Sequence, residues 1–453
     1  MSRKNVLLLC DDAARHTGTV DNHIQALKEF SASNVVIMDS RAAGSMDIDL
    51  ELFDAIVFHY SIVICMSQFL QPAFFARLAN CSRPKILFIQ DEYRWVDLTA
   101  TATRELGICV IFTVVNRDVV RTIYRDSFFD NVRFELTLTG YVPQDLLSVN
   151  VPSYGDRSID VSYRARRVPS WLGAFGQEKW TIGERFLRDS QQFRLNCDIA
   201  MSEDTRLYGK SWIDFVASSK AVLGTESGAS FIDFSGEVRN TVEAYEKANP
   251  GISFEEVQRR FLQGDGNTVI HVISPRCFEA AALRTLMILY PGNYSGILVA
   301  GRHYIELLRD HSNMADVVAI IQDHASASKI IKAAYEEVAC SSALTFKAFV
   351  ARFDYVIGEV FETSSRNGVL TKHQNFNASE QLDRYEMLAA RVSRRRVAVM
   401  ANVIKMQRAS RSIANFVQRL LPEPLAKRML AFYGKSLAAA KPLLKRIAFG
   451  REE

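Results

Sequence analysis

The polar residues that follow apolar runs carry most of the chemistry this chain can offer. Asp11, Asp12 and His16 come after Asn5–Cys10, His59 and Tyr60 end the run Asp54–Tyr60, and Gln90, Asp91, Glu92 and Tyr93 close Pro84–Gln90. Further on, Arg164, Arg166 and Arg167 follow Ile159–Arg164, Thr225–Ser230 follows Lys220–Leu223, and Arg276 and Glu279 follow Val269–Ser274. Arginines, together with backbone N–H groups at a glycine turn or a helix start, neutralise phosphate charge without transferring a proton. His16, His23 and Asp91 are the groups suited to proton transfer, the histidines because they titrate near neutral pH. Both histidines lie in HTGTVDNH, ahead of or within a helix that Asp21 is suited to cap. Capping or solvent exposure competes with catalysis for the histidines, and loop positioning competes for Asp91. Arg276 and Glu279, one helical turn apart, also fit an ordinary surface ion pair.

The apolar runs say what must position these groups. Asn5–Cys10, Asn34–Asp39, Asp54–Tyr60, Pro84–Gln90 and Ile108–Val115 are short and rich in Val, Ile, Leu and Phe. Nearly uninterrupted runs of that length predict strands buried on both faces of a parallel sheet. Helical patterns at Val20–Phe30, Gln68–Asn80 and Arg117–Tyr124 alternate with them, so a doubly wound α/β domain is expected over residues 1–150. In such sheets ligands bind beyond the carboxyl ends of the strands, where the polar residues above fall.

The stretch VNVPSYGDRS (Val149–Ser158) breaks the alternation and predicts a domain boundary. The pattern then restarts. Strands are expected at Ile159–Arg164, Arg194–Ile199, Lys220–Leu223, Val269–Ser274, Thr285–Leu289 and Val317–Ile321. Helices are expected at Gln177–Ser190, Pro275–Leu283 and Ser328–Cys340. This is a second Rossmann-like domain, residues 151–360, with a polar insertion near 235–268. Neither a GxGxxG fingerprint nor a Walker A sequence is present, which disfavours hydride transfer and P-loop chemistry. Residues 361–453 read as a basic helical extension.

Within the second half, IDVSYRARRVPSWLGAFGQEKWTIGERF (Ile159–Phe186), AVLGTESGAS (Ala221–Ser230), ISPRCFEAAALRTLMILYPGNYSGIL (Ile273–Leu298) and HYIELLRDHSN (His303–Asn313) form a set. The set resembles the C-terminal domain of bacterial GT-B glycosyltransferases from surface-polysaccharide gene clusters, and also the CgeB-like branch. FIQDEY (Phe88–Tyr93) is similar to the matching strand end of the first domain. The resemblance spans roughly residues 5–360 and implies two Rossmann-like domains with a nucleotide-sugar donor between them. It implies donor contacts from Arg164, Lys179, Glu226, Ser227, Gly228, Arg276 and Glu279, with Glu279 on the ribose hydroxyls. It implies transfer to a glycan or lipid-linked acceptor on the side of the first domain. One departure matters: many retaining relatives carry an earlier glutamate that would fall near Val272, where this chain has His271 and Val272. A nucleotide-sugar 2-epimerase or hydrolase, or a non-catalytic sugar-nucleotide scaffold, would share the same donor site.

Composition narrows the partners. The seven cysteines are scattered without a CxxC pair, which suits reduced thiols in a cytoplasmic protein. Asp47-Ile48-Asp49 matches a DxD metal motif but lies in an acidic loop, so no metal and no cofactor are expected. The net charge of +4 hides a division, because residues 391–453 carry 15 Lys and Arg against 3 acidic residues. Ile413, Phe416, Val417, Leu420 and Leu421 recur at helical spacing there, beside Arg411 and Arg419. Such a tail is expected to meet an anionic membrane surface, with no nucleic acid among the partners. Packing of the stripe on protein is the alternative.

Overall fold

The computed structural model describes residues 3–366, 379–394 and 398. Six parallel strands form the first sheet: β1 (Asn5–Cys10), β2 (Asn34–Asp39), β3 (Ala55–Phe58), β4 (Lys85–Ile89), β5 (Ile108–Thr113) and β6 (Arg133–Leu136), in the order β2-β1-β3-β4-β5-β6. Successive residues of β1 enter opposite cores. Leu7 and Leu9 pack with Phe58 and Phe74 on one face, and Val6 and Leu8 with Phe88 and Phe112 on the other. Burial on both faces is what the unbroken apolar runs required.

The second sheet takes β7 (Ile159–Arg164), β8 (Cys197–Ala200), β9 (Ser219–Gly224), β12 (Leu286–Leu289) and β13 (Ile305–Glu306), all parallel, in the order β13-β12-β9-β7-β8. Between β9 and β12 in sequence, β10 (Ser227–Ala229) and β11 (Ile270–Val272) make a small antiparallel pair. The insertion between them folds as two helices, Glu237–Ala248 and Phe254–Phe261, whose Val242 and Val257 pack on Trp171. The chain is therefore two Rossmann-like domains.

One expected strand is a helix instead. Val317–Ile321 lies inside the helix Met314–Gln322, and Met314, Val317, Val318 and Ile321 are its buried residues. That spacing of three, four and seven is helical, and Val-Val-Ala-Ile-Ile alone masks it.

Four contacts fix how the domains meet. Thr139 Oγ1 donates to the Ile273 carbonyl at 2.5 Å, and Gly140 lies so close to Pro275 that a Cβ would approach it to 3.0 Å. The Asp233 and Asp97 N–H groups donate to the Tyr93 and Phe234 carbonyls, at 2.9 and 3.0 Å. The helix Phe346–Arg366 then crosses back to the first domain. Phe349, Val350, Phe353, Val356 and Ile357 complete the core beside Phe88 and Phe112. Residues 379–394 are also helical, with Leu382 and Ala389 buried on the first domain and Glu386 paired to Lys28. The stripe Ile413–Leu421 lies outside the described residues. Among those described, no helix is long and apolar enough to cross a membrane.

Candidate functional site

A cavity of about 290 Å³ opens at the carboxyl ends of β7 and β9 and faces the first domain. Its inner wall is apolar, with Val222, Leu223, Ala280 and Met287, and its polar wall is cationic, with Arg164, Arg166, Lys179, Arg206 and Arg276. Tyr93 of the first domain also lines it. The helix Pro275–Ala282 starts at the cavity with Ser274 as its N-cap residue, which adds the positive end of its backbone dipoles.

The cations are held differently. Arg164 is engaged by its own domain: Nη2 pairs with Asp198 at 2.8 Å, Nη1 donates to the Asp198 and Tyr163 carbonyls, and the guanidinium lies 4.1 Å from the Phe215 ring centroid. Only its Nε is buried without a partner. The carbonyl of Arg164 accepts from Arg276 Nη1 at 2.5 Å, and Arg276 stacks over Trp212 at 4.9 Å. Trp212 Nε1 donates to Glu279 Oε2 at 2.8 Å, so Arg276 and Glu279 are joined through Trp212 rather than by an ion pair. Burial raises the Glu279 carboxyl, while the indole and Arg276 oppose that shift. Lys179 makes no ion pair among the described residues. Burial first, and then Arg276, bring its ammonium down to about 8, with Asp91 acting in the opposite direction.

Gly228 lines the cavity at φ 141°, and a Cβ there would lie 1.8 Å from the Ile270 carbonyl oxygen. Only glycine fits so close a strand pair. Ser227 pairs with Val272 in the same ladder. Glu226 turns from the cavity, accepting from the Tyr294 N–H at 2.7 Å and lying 3.2 Å from His271 Nδ1.

The first domain sends two of its three expected groups to this side. His16 is exposed on a short 3-10 turn, and its ring meets Tyr208 of the second domain edge-on at 5.7 Å. Tyr208 in turn lies under Arg206 of the cavity wall, at 5.1 Å. Asp91 accepts from Tyr93 Oη at 2.8 Å and pairs with Arg94 at 2.5 Å. His23 is a correction. It lies on the buried face of the helix Gly18–Phe30 with Ile24 and Leu27, ringed by Tyr60, Phe88 and Phe349, and its Nδ1 is 3.1 Å from His59 Nε2. Burial drives its imidazole down to about 3, so it is a neutral core residue at physiological pH.

Arg206 and Trp212 escape a search confined to strand ends. Arg206 sits in the connection from β8 to the helix Gly209–Ala217 and Trp212 lies inside that helix, six residues and more beyond Ala200. Of the DxD pair, Asp49 caps a 3-10 turn through the Glu51 N–H and Asp47 is exposed beside Arg77. Among the described residues, no group of three or more His, Cys, Asp and Glu side chains is placed to hold a metal ion.

No protein-family model and no curated protein matches the chain. Solved structures similar to it include an alpha-glucosyltransferase in complex with UDP-glucose and DNA containing an abasic site, at 9% identity and a TM-score of 0.48 over 79% of this chain and 99% of that one. Anabaena HepE in complex with UDP and glucose is 10% identical with a TM-score of 0.42, over 80% of this chain and 100% of that chain. AviGT4, a glycosyltransferase involved in avilamycin A biosynthesis, is 10% identical with a TM-score of 0.39, over 80% and 98%.

Proposed function

We propose that the chain is a metal-independent glycosyltransferase that holds a nucleoside-diphosphate sugar in this cavity and transfers the sugar to a glycan or lipid-linked hydroxyl. The observation that carries the reading is the cationic wall of Arg166, Lys179, Arg206 and Arg276 around a helix N-terminus, with Tyr93 of the other domain, which holds Asp91, in the lining and His16 against Tyr208 beside it. As the bond from the anomeric carbon to the phosphate oxygen breaks, its electron pair and the growing negative charge pass to the diphosphate. Fixed cations and aligned N–H groups lower the energy of that state without a metal. The attacking hydroxyl gives its proton to a group on the acceptor side, for which His16 and Asp91 are the candidates. Glu279, held by Trp212, is suited to the ribose hydroxyls. The basic tail keeps the enzyme at an anionic membrane, where a lipid-linked acceptor for surface polysaccharide would reside.

The test is a binding and turnover screen with UDP, GDP, dTDP and CMP sugars. One donor should stabilise the protein thermally, and Arg276→Ala should weaken it by about 1–3 kcal/mol, the scale of a charged hydrogen bond. His16→Ala or Asp91→Ala should abolish transfer while leaving donor binding intact. Absence of binding to every nucleotide, or full transfer in both variants, would refute the reading.

A further inference from the structure

The insertion of the second domain seats a turn of the first. Leaving β10, the chain runs beside Tyr93–Asp97 before the helix Glu237–Ala248 begins. Arg94 and Asp233 form a parallel bridge there, and the Asp233 and Asp97 N–H groups donate across it to the Tyr93 and Phe234 carbonyls. The guanidinium of Arg125 lies 4.3 Å from the Phe234 ring centroid, and Phe234 packs against the core of the first domain. The Asp233 side chain is buried, the residue being 1% exposed, and makes no ion pair among the described residues. It accepts instead from the Gly236 and Arg239 N–H groups, at 2.9 and 2.8 Å, where the helix starts. Its charge is thereby met by the positive end of that helix.

Arg239 reaches back over the turn. Its guanidinium lies 4.6 Å from the ring centroid of Trp95, in the first domain, and 5.5 Å from that of Trp171, in the second. Glu243 steadies this stack, accepting from Arg239 Nε at 2.8 Å and from Trp171 Nε1 at 3.2 Å. Trp95 stands at φ 51° and ψ 38°, a left-handed conformation that a bulky residue adopts only where its surroundings impose it. The insertion supplies those surroundings, with Arg239 over the indole and Gly236 so close that a Cβ would lie 2.4 Å from it. The turn continues into the site. Arg94 stacks on Trp95 at 5.1 Å and pairs with Asp91, and Asp91 accepts from Tyr93, which lines the cavity.

We propose that Arg239 and Asp233 are positioning residues for the acceptor side of the site: they hold Trp95 in its left-handed form and, through Arg94 and Tyr93, set the place of Asp91 relative to the cavity. The insertion contributes none of the cations that line the cavity, so the hold on the donor's phosphates does not pass through it. Without the Arg239 stack, Trp95 relaxes toward an ordinary backbone conformation, the two amides that bridge the domains there lose their alignment, and Asp91 shifts. Misplacing a proton-transfer group slows the reaction while leaving the binding of the donor intact. This rests on the donor reading above and adds to it the residues that couple the insertion to turnover.

The experiment uses the full chain and the donor, among UDP-glucose, GDP-mannose and dTDP-glucose, that the wild type binds by calorimetry. Arg239→Ala should lower turnover, read as nucleoside diphosphate released, about tenfold, while the donor's KM and dissociation constant change less than about twofold. Amide hydrogen exchange should quicken in the segments that carry Asp97 and Asp233. Arg239→Lys should recover part of the turnover, since an ammonium is also drawn to indole faces. Gly236→Ala, which drives a methyl group into the Trp95 indole, should show the same pattern as Arg239→Ala. If Arg239→Ala fails to fold, Arg239→Gln is read in its place. Unchanged turnover, an equal loss of donor affinity, or lost turnover without faster exchange overturns the inference and leaves the donor reading standing. Failure of the wild type to bind any of the three donors overturns both.

Discussion

If the cavity holds the donor as proposed, Lys179 should make its binding depend on pH in a way that isolates one side chain. Burial and the neighbouring Arg276 bring its ammonium to about 8 in the free protein. A bound diphosphate favours the charged form, so the proton is held more tightly in the complex than in the free site. Affinity is then flat below pH 7 and falls above pH 8 as the free protein loses the proton that binding requires. Between pH 7 and pH 9 the charged fraction drops from about nine-tenths to about one-tenth, so the dissociation constant should rise about tenfold, or about 1.4 kcal/mol. A nucleotide sugar is the ligand of choice, because its diphosphate diester keeps a fixed charge across this range. Titration calorimetry from pH 6.5 to 9.5 should show the step in the wild type. Lys179→Arg, which stays charged, should bind well and without the step. Lys179→Met should bind weakly at every pH, also without it. A wild type that is flat to pH 9.5, or a Lys179→Met variant that keeps the step, would remove Lys179 from the phosphate site.

Glu92 is buried against Thr113 and Tyr124, and burial lifts its carboxyl from 4.5 to about 7. The folded state thus holds a proton that the unfolded chain releases, so stability falls as pH rises from 4.5 through 7. Glu92→Gln should cancel that fall and add at most about 3 kcal/mol at pH 8 in urea denaturation, with little change at pH 4.5; equal effects at both pH values would contradict the burial argument. His23→Ala should cost about 3 kcal/mol of stability, as a large core side chain does, while nucleotide affinity measured on the folded protein stays unchanged. Loss of affinity in a variant that melts like the wild type would return His23 to the site. The tail should carry the full-length protein down with anionic liposomes at low salt but not at high salt, and truncation at Arg391 should abolish this; protein left in the supernatant at low salt would refute membrane attachment.

How much of this could be read from the residues depends on what each element answers to. β1 and β2 have the limits expected of them, because each is an apolar run answering only to two buried faces. Val317–Ile321 shows where that rule fails, since an equally apolar run is also the buried stripe of a helix. The two histidines of HTGTVDNH differ for a reason visible in the pattern. His23 falls on the stripe of Ile24 and Leu27, whereas His16 precedes the helix start at Gly18. The destination of the helix Phe346–Arg366 is not visible in that way. Its apolar face declares that it packs, but choosing the first domain over the second is a question of long-range complementarity. The Arg276–Trp212–Glu279 chain was hidden for the same reason, since Trp212 and Glu279 lie 67 residues apart and meet only when the helices Gly209–Ala217 and Pro275–Ala282 stand side by side.

The way the domains are joined explains why the site can span them. The proposed phosphate binding needs cations on a rigid wall, and the cavity draws Arg164, Lys179 and Arg276 from β7, the helix Gly173–Asp189 and the helix Pro275–Ala282. Proton transfer needs a group on the opposite side that is held at a fixed distance, since small misplacements are costly in rate. His16 and Asp91 have no covalent neighbour in the second domain, so their placement depends on the contacts between domains. Thr139 with Ile273 and Gly140 with Pro275 fix the joint beside the start of the helix Pro275–Ala282. Trp95 against Gly236 fixes another close to Asp91, because a Cβ on Gly236 would lie 2.4 Å from the indole. Phe349 and Phe353, arriving on the returning helix, pack under Phe88, in the strand that leads directly to Asp91. The chain thus enters the first domain twice, and its second entry supports the strand that leads to Asp91.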